Sequence, residues 1–123
     1  MRYAILIYVD PATYEGVSEA ENQAEMGEYY ALGPSFRERG WEVSGEALQP
    51  VETATTVRIR NGKVLTTDGP FAETKEHLGG FYLVDCENLD EAMEFAKAVP
   101  DVKRGSIEIR PVVDFSNLPD PNA

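Results

Sequence analysis

Within the stretch Thr67–Tyr82, between two strand-like runs, the chain gathers Asp68, Glu73, Lys75, Glu76 and its only histidine, His77. Asp68-Gly69-Pro70 is a turn signal: Asp bonds its own downstream backbone, Gly accepts positive φ and Pro fixes its own φ. A carboxylate held by such a turn has little freedom, so Asp68 is the first candidate for acid–base work. Glu73 is a second carboxylate, and Lys75 can neutralise either acid or hold an anionic substrate. Glu46 lies close to the end of an earlier strand and is expected to face the same loop. Tyr8 and Tyr82 stand on strands that can wall the cleft. Carboxylates brought together there repel one another, and burial disfavours their charged forms. At least one of Asp68, Glu46 and Glu73 should then titrate high enough to move a proton near neutral pH. His77 titrates near neutrality when unperturbed, but its charged neighbours argue for exposure.

Other chemistries find no support. One His and one Cys, with no HxxxH or CxxC spacing, give no transition-metal ligand set. No glycine-rich turn leads from a strand into a helix to cradle phosphate. No Ser or Cys sits on a nucleophile elbow. The expectation is therefore a site without metal or cofactor.

The elements that must position these residues follow from periodicity. Tyr3–Val9 is apolar at nearly every position, which marks a strand covered on both faces. In a domain this small two helices cover one face, and a second subunit is the economical cover for the other. Ser18-Glu19-Ala20-Glu21 is a capping box opening a helix, with Met26, Tyr30, Gly33 and Phe36 or Arg37 along one face. Gly33-Pro34 should kink or break it. Trp41–Leu48 is a strand. Asn61-Gly62 joins Thr55–Arg60 and Lys63–Thr67 in a hairpin. Phe71 should anchor the following turn in the core. Leu78–Cys86 is a second largely apolar strand. Asn88 caps a helix with the stripe Leu89, Ala92, Met93, Ala96 and Val99, ended by Pro100. Asp101–Gly105 reads as a loop, Ser106–Val113 as an alternating last strand, and 116–123 as a tail after a single domain over 1–115.

With the hairpin set aside, the order is βαββαβ, the ferredoxin-like α+β pattern. The central motif is Thr67–Phe71, Ala72-Glu73-Thr74-Lys75-Glu76 and Leu78–Cys86. With Ser44–Pro50, the opening Met1–Tyr8 and Glu108-Ile109-Arg110-Pro111, it resembles the DGPF, or YCII-related, domain family over nearly the whole chain. The resemblance implies a ferredoxin-like domain that pairs into a dimeric α/β barrel, hence a homodimer. It leaves two roles open. One is a cofactor-free lyase- or isomerase-like enzyme acting on a small-molecule ligand. The other is a non-catalytic module, such as a companion of an extracytoplasmic-function sigma factor. Some members use a His–Asp pair, but His77 does not occupy that histidine's place in the pattern.

The charge balance fits these readings. A net charge of −11 on 123 residues repels nucleic acid and anionic membrane surfaces and suits a neutral or basic partner. A single cysteine, Cys86, excludes an internal disulfide, fits a reducing cytoplasm and reads as a small core residue. No secretory signal or membrane-spanning run is visible.

Overall fold

A computed structural model describes residues 1–117, 119 and 122. The tail expected over 116–123 falls partly outside them. The described residues form a mixed α+β structure of six strands and two α-helices: β1 (Arg2–Val9), α1 (Glu19–Arg37), β2 (Glu42–Ala47), β3 (Thr55–Arg60), β4 (Lys63–Asp68), β5 (His77–Asp85), α2 (Leu89–Ala98) and β6 (Ser106–Pro111). Four strands make an antiparallel sheet in the order β2-β5-β1-β6, which is compatible with the ferredoxin-like pattern, and β3 and β4 pair apart as a separate hairpin. Among the described residues no helix is long and apolar enough to cross a membrane.

Register explains the layers. Ile5 stands opposite Tyr82 on one side and Ile109 on the other. Side chains alternate along a strand, so Tyr3, Ile5, Ile7 and Val84 point to the helices and are buried. Ala4, Leu6, Phe81 and Leu83 point the other way and are only half-buried. The unbroken apolar run in β1 thus divides into one helix-covered face and one open face. Between Ile7 and Tyr8 a bulge shifts the register: Ile7 pairs with Gly80 and Tyr8 with Leu78, which leaves Gly79 over.

The core centres on Phe95, which packs against the rings of Phe36 at 4.9 Å, Tyr82 at 5.1 Å and Trp41 at 6.4 Å between centroids. Both helices turn inward a face that overlaps the one their sequences suggest, through Gly33 and Phe36 and through Ala92, Ala96 and Val99, but is rotated from it. In α1 the buried side is Leu32, Gly33 and Phe36, with Tyr29 packed beside it, while Met26 and Tyr30 are exposed. In α2 it is Ala92, Phe95 and Ala96, followed by Val99, while Leu89 and Met93 are exposed. The bulk of Phe95 decides α2, because one large ring fills the space between α1 and the sheet that the stripe through Leu89 and Met93 would leave half-empty.

Pro34 does not end α1, which runs on to Arg37. The amide a proline lacks would have bonded the carbonyl of Tyr30. Tyr30 lies on the solvent side, so the lost bond is not one of the buried face. The caps form as expected: Ser18 accepts from the Glu21 amide at 3.1 Å and Asn88 from the Glu91 amide at 2.9 Å. Asn61 (φ 54°) and Gly62 (φ 76°) make the hairpin turn.

The turn after the hairpin is built differently from its sequence reading. The Asp68 side chain makes no hydrogen bond within it. Gly69 takes φ +99° and its amide donates to the Ala54 carbonyl at 2.6 Å. The Thr56 hydroxyl donates to the Gly69 carbonyl at 2.8 Å, and Arg58 to the Phe71 carbonyl at 3.0 Å. Phe71, expected as an anchor, is 77% exposed. The segment is held by its backbone and by β3 side chains, so nothing pulls the ring inward.

Candidate functional site

Where β2 ends and β5 begins, a cavity of about 350 Å³ opens between the sheet and the segments that precede and follow the helices. Its floor is backbone and apolar side chain: Ile7, Val9, Gly45, Gly79 and Gly80. The bulge and the two successive glycines keep side chains out of this end of β5. Gly45 is needed for close approach. A Cβ there would lie 2.4 Å from the Phe81 carbonyl oxygen and 2.9 Å from the Tyr82 ring. Gly45→Ala should therefore destabilise the fold by about 2 kcal/mol through forced displacement of β2, and should shift the amide resonances of Phe81 and Tyr82. An unchanged melt and spectrum would mean that β2 yields without cost.

The polar end of the cavity is Asp101, Tyr14 and Tyr29. Asp101 is the second residue of the short 3₁₀ turn over Pro100–Lys103, directly after the proline that stops α2. Tyr14 ends a 3₁₀ turn over Pro11–Tyr14, which is capped by Asp10 accepting from the Ala12 amide at 2.9 Å. Tyr29 comes from the inward face of α1. The Tyr14 hydroxyl donates to Asp101 Oδ1 and the Tyr29 hydroxyl to Oδ2. The Asp101 residue is only 6% exposed. Arg104 Nε lies 3.7 Å from Oδ1, its guanidinium bonds Glu25, and its Cζ sits 4.6 Å over the Tyr14 ring. Burial first, then the hydrogen bond to Asp101 and its charge, push both the Tyr14 and the Tyr29 phenol well above the ordinary tyrosine range. Both phenols therefore stay protonated at neutral pH. Tyr82, on the cavity wall, is raised by burial, which the Arg37 charge opposes.

The residues singled out from sequence are divided by the structure. Glu46 and Tyr82 line this cavity. Tyr8 lines a separate groove of about 620 Å³, together with Leu48, Phe71 and His77. Asp68 closes β4, and Glu73 and Lys75 lie in the exposed segment after it; none of the three lines either space. The single cleft expected for Glu46, Asp68, Glu73 and Lys75 is not formed within one chain. The hairpin stands apart from the main sheet and carries Asp68 away with it. His77 is half-buried at the start of β5, with Nδ1 3.5 Å from the Thr74 hydroxyl.

Asp101, Tyr14 and Tyr29 are absent from the sequence reading. One signal for them was present. Tyr29, Leu32, Gly33 and Phe36 keep the spacing i, i+3, i+4, i+7, and that face brings Tyr29 inward. For Asp101 the signal is weaker: an acid directly after a helix-ending proline is ordinary in a turn.

The model of the YCII-related domain matches residues 1–116. An uncharacterised protein of Rhizobium meliloti (strain 1021) is 40% identical over 114 residues, covering 91% of this chain and 92% of that protein. The chain belongs to the YCII-related domain family.

Proposed function

We propose that the protein is a cofactor-free acid–base enzyme that moves a proton on a small organic molecule held in the cavity at the ends of β2 and β5. The observation that supports this most is a carboxylate, Asp101, almost wholly buried yet facing an open cavity, with two protonated phenols as its hydrogen-bond donors. An ionised carboxylate offers about four lone-pair positions, so Asp101 keeps capacity beyond Tyr14 and Tyr29. A substrate proton is taken by Asp101 directly, or by the Tyr29 oxygen while the Tyr29 proton passes to Oδ2. The C–H bond breaks, its electron pair stays on the substrate, and the proton rests on the carboxyl group. Return of the proton to another carbon is an isomerisation; departure of a leaving group instead is a lyase reaction. Glu46 on the rim supplies a second carboxylate and Tyr82 a wall. Asp68, Glu73, Lys75 and Tyr8 have no part in the chemistry on this reading.

The working form on the same reading is a homodimer, with two open sheet faces stacked into an α/β barrel. The half-buried Ala4, Leu6, Phe81 and Leu83 support it, since an apolar face of this kind is ordinarily covered and obligate dimers bury on the order of 2,000 Å².

The test is proton exchange. Small ketones, β-ketoacids and lactones are incubated with the protein in D₂O, and loss of their C–H signals is followed by proton NMR. The wild type should accelerate exchange of at least one of these classes, and Asp101→Asn should lose at least a hundredfold of that rate while keeping its near-UV spectrum. No exchange in any class, with the Tyr14 and Tyr29 ring signals unmoved, would remove the enzyme and leave a binding module, such as the sigma-factor companion.

A further inference from the structure

The hairpin of β3 and β4 is an amphipathic arm. Register puts Val57 opposite Thr66 and Ile59 opposite Val64. Val57, Ile59 and Val64 therefore share one face, and they are 62%, 63% and 66% exposed. Arg58, Arg60 and Lys63 occupy the opposite face with Leu65. A two-stranded hairpin is marginal alone in water, and a strip of three exposed β-branched residues costs solubility unless something covers it. The arm also inverts the charge of the protein. Residues 55–68, the two strands and their turn, hold three of the eleven Lys and Arg and one carboxylate, Asp68, a net +2, which leaves eight cations against 21 carboxylates elsewhere, a balance of −13.

We infer that this arm docks on a second copy of the chain, its Val57–Ile59–Val64 strip against the partner's surface, while Arg58, Arg60 and Lys63 on its outer face draw it toward the partner's acidic surface by long-range attraction. Charge complementarity selects the occupant. A surface of net −13 attracts a +2 arm, and a second copy provides that surface at whatever concentration the protein itself reaches. Because the exchange is reciprocal about a two-fold axis, each copy contributes one arm and receives one. The arm extends the contact beyond the stacked sheets of the homodimer proposed above, and it rests on that homodimer. Its role is tighter association, and its charge makes association sensitive to salt.

Sedimentation equilibrium across nanomolar to micromolar concentration tests this with the full chain. Two variants are compared with the wild type: Val57→Thr/Ile59→Thr/Val64→Thr, and Arg58→Glu/Arg60→Glu/Lys63→Glu. Thr keeps the strand propensity of the arm, and near-UV circular dichroism checks that the core is intact. The wild type should be a dimer whose dissociation constant rises with salt. Each variant should raise that constant at least tenfold, and the charge-reversed one should lose or invert the salt dependence. A wild-type dimer with both variants dimerising equally well overturns the docking arm and leaves the stacked-sheet homodimer standing. A monomeric wild type at micromolar concentration overturns both.

Discussion

Asp101→Ala is expected to lower the unfolding free energy by about 3 kcal/mol, because it leaves two phenols without their acceptor and Arg104 with only Glu25 of its two carboxylate neighbours. For a chain of this size that is a fall in Tm of roughly 10 °C. Asp101→Asn keeps one acceptor oxygen and should cost about 1 kcal/mol. Pairing predicts non-additivity. Asp101→Ala combined with Tyr14→Phe and Tyr29→Phe should be less destabilised than the sum of its parts, since donors and acceptor leave together. The pH dependence has a definite sign. Tyr14 and Tyr29 have folded pKa values raised above the ordinary 10.0, so the stability they confer is fully present below about pH 10 and is lost as pH rises beyond it. Thermal melts between pH 7 and 11 should show a steeper alkaline loss in the wild type than in the double Phe variant. Overlaying alkaline limbs, or an Asp101→Ala melt within 2 °C of wild type, would show that the cluster does not hold the fold together.

Phe95→Ala is expected to cost 3–5 kcal/mol, the usual range for removing a fully enclosed aromatic ring. The site cannot collapse easily. The ring is bounded by Phe36, Trp41 and Tyr82, which belong to α1, the segment after it and β5, so filling the void would require elements on both sides of the core to move. Phe95→Leu, which retains most of the volume, should cost about 1–2 kcal/mol. Urea midpoints for the three proteins give the comparison. Equal midpoints for Leu and Ala would indicate that shape rather than volume governs this position. Because Tyr82 packs on Phe95 and also walls the cavity, Phe95→Ala should disturb the Tyr82 ring signal as well.

The fold was legible because its local signals are strong and agree with one another. Asn61-Gly62 needs positive φ and receives it, Ser18 and Asn88 cap where caps are expected, and Pro100 stops α2. The errors arose where two adjacent helical faces competed. In α1 the sequence supports both Met26–Tyr30–Gly33 and Tyr29–Gly33–Phe36, and only packing against the sheet selects the second. That choice also hid the site, since Tyr29 is what α1 brings to Asp101. Asp68 was favoured because local turn chemistry is visible in sequence. The cluster of Asp101, Tyr14 and Tyr29 joins residues 72 and 87 positions apart, and no local pattern announces such a meeting. Glu46 and Tyr82 reach the same cavity because β2 and β5 pair directly.

The long separations in the Asp101 cluster bear on how the chain folds. Closing loops of 72 and 87 residues requires β1, α1 and the segment after α2 to be assembled first, since each closure has an entropic cost that only prior contacts offset. The two phenol–carboxylate bonds are therefore expected to form after the rate-limiting step. Interactions absent from the transition state slow unfolding without speeding folding. Asp101 would then be a kinetic latch, and Asp101→Asn should unfold faster while folding at the wild-type rate in stopped-flow measurements.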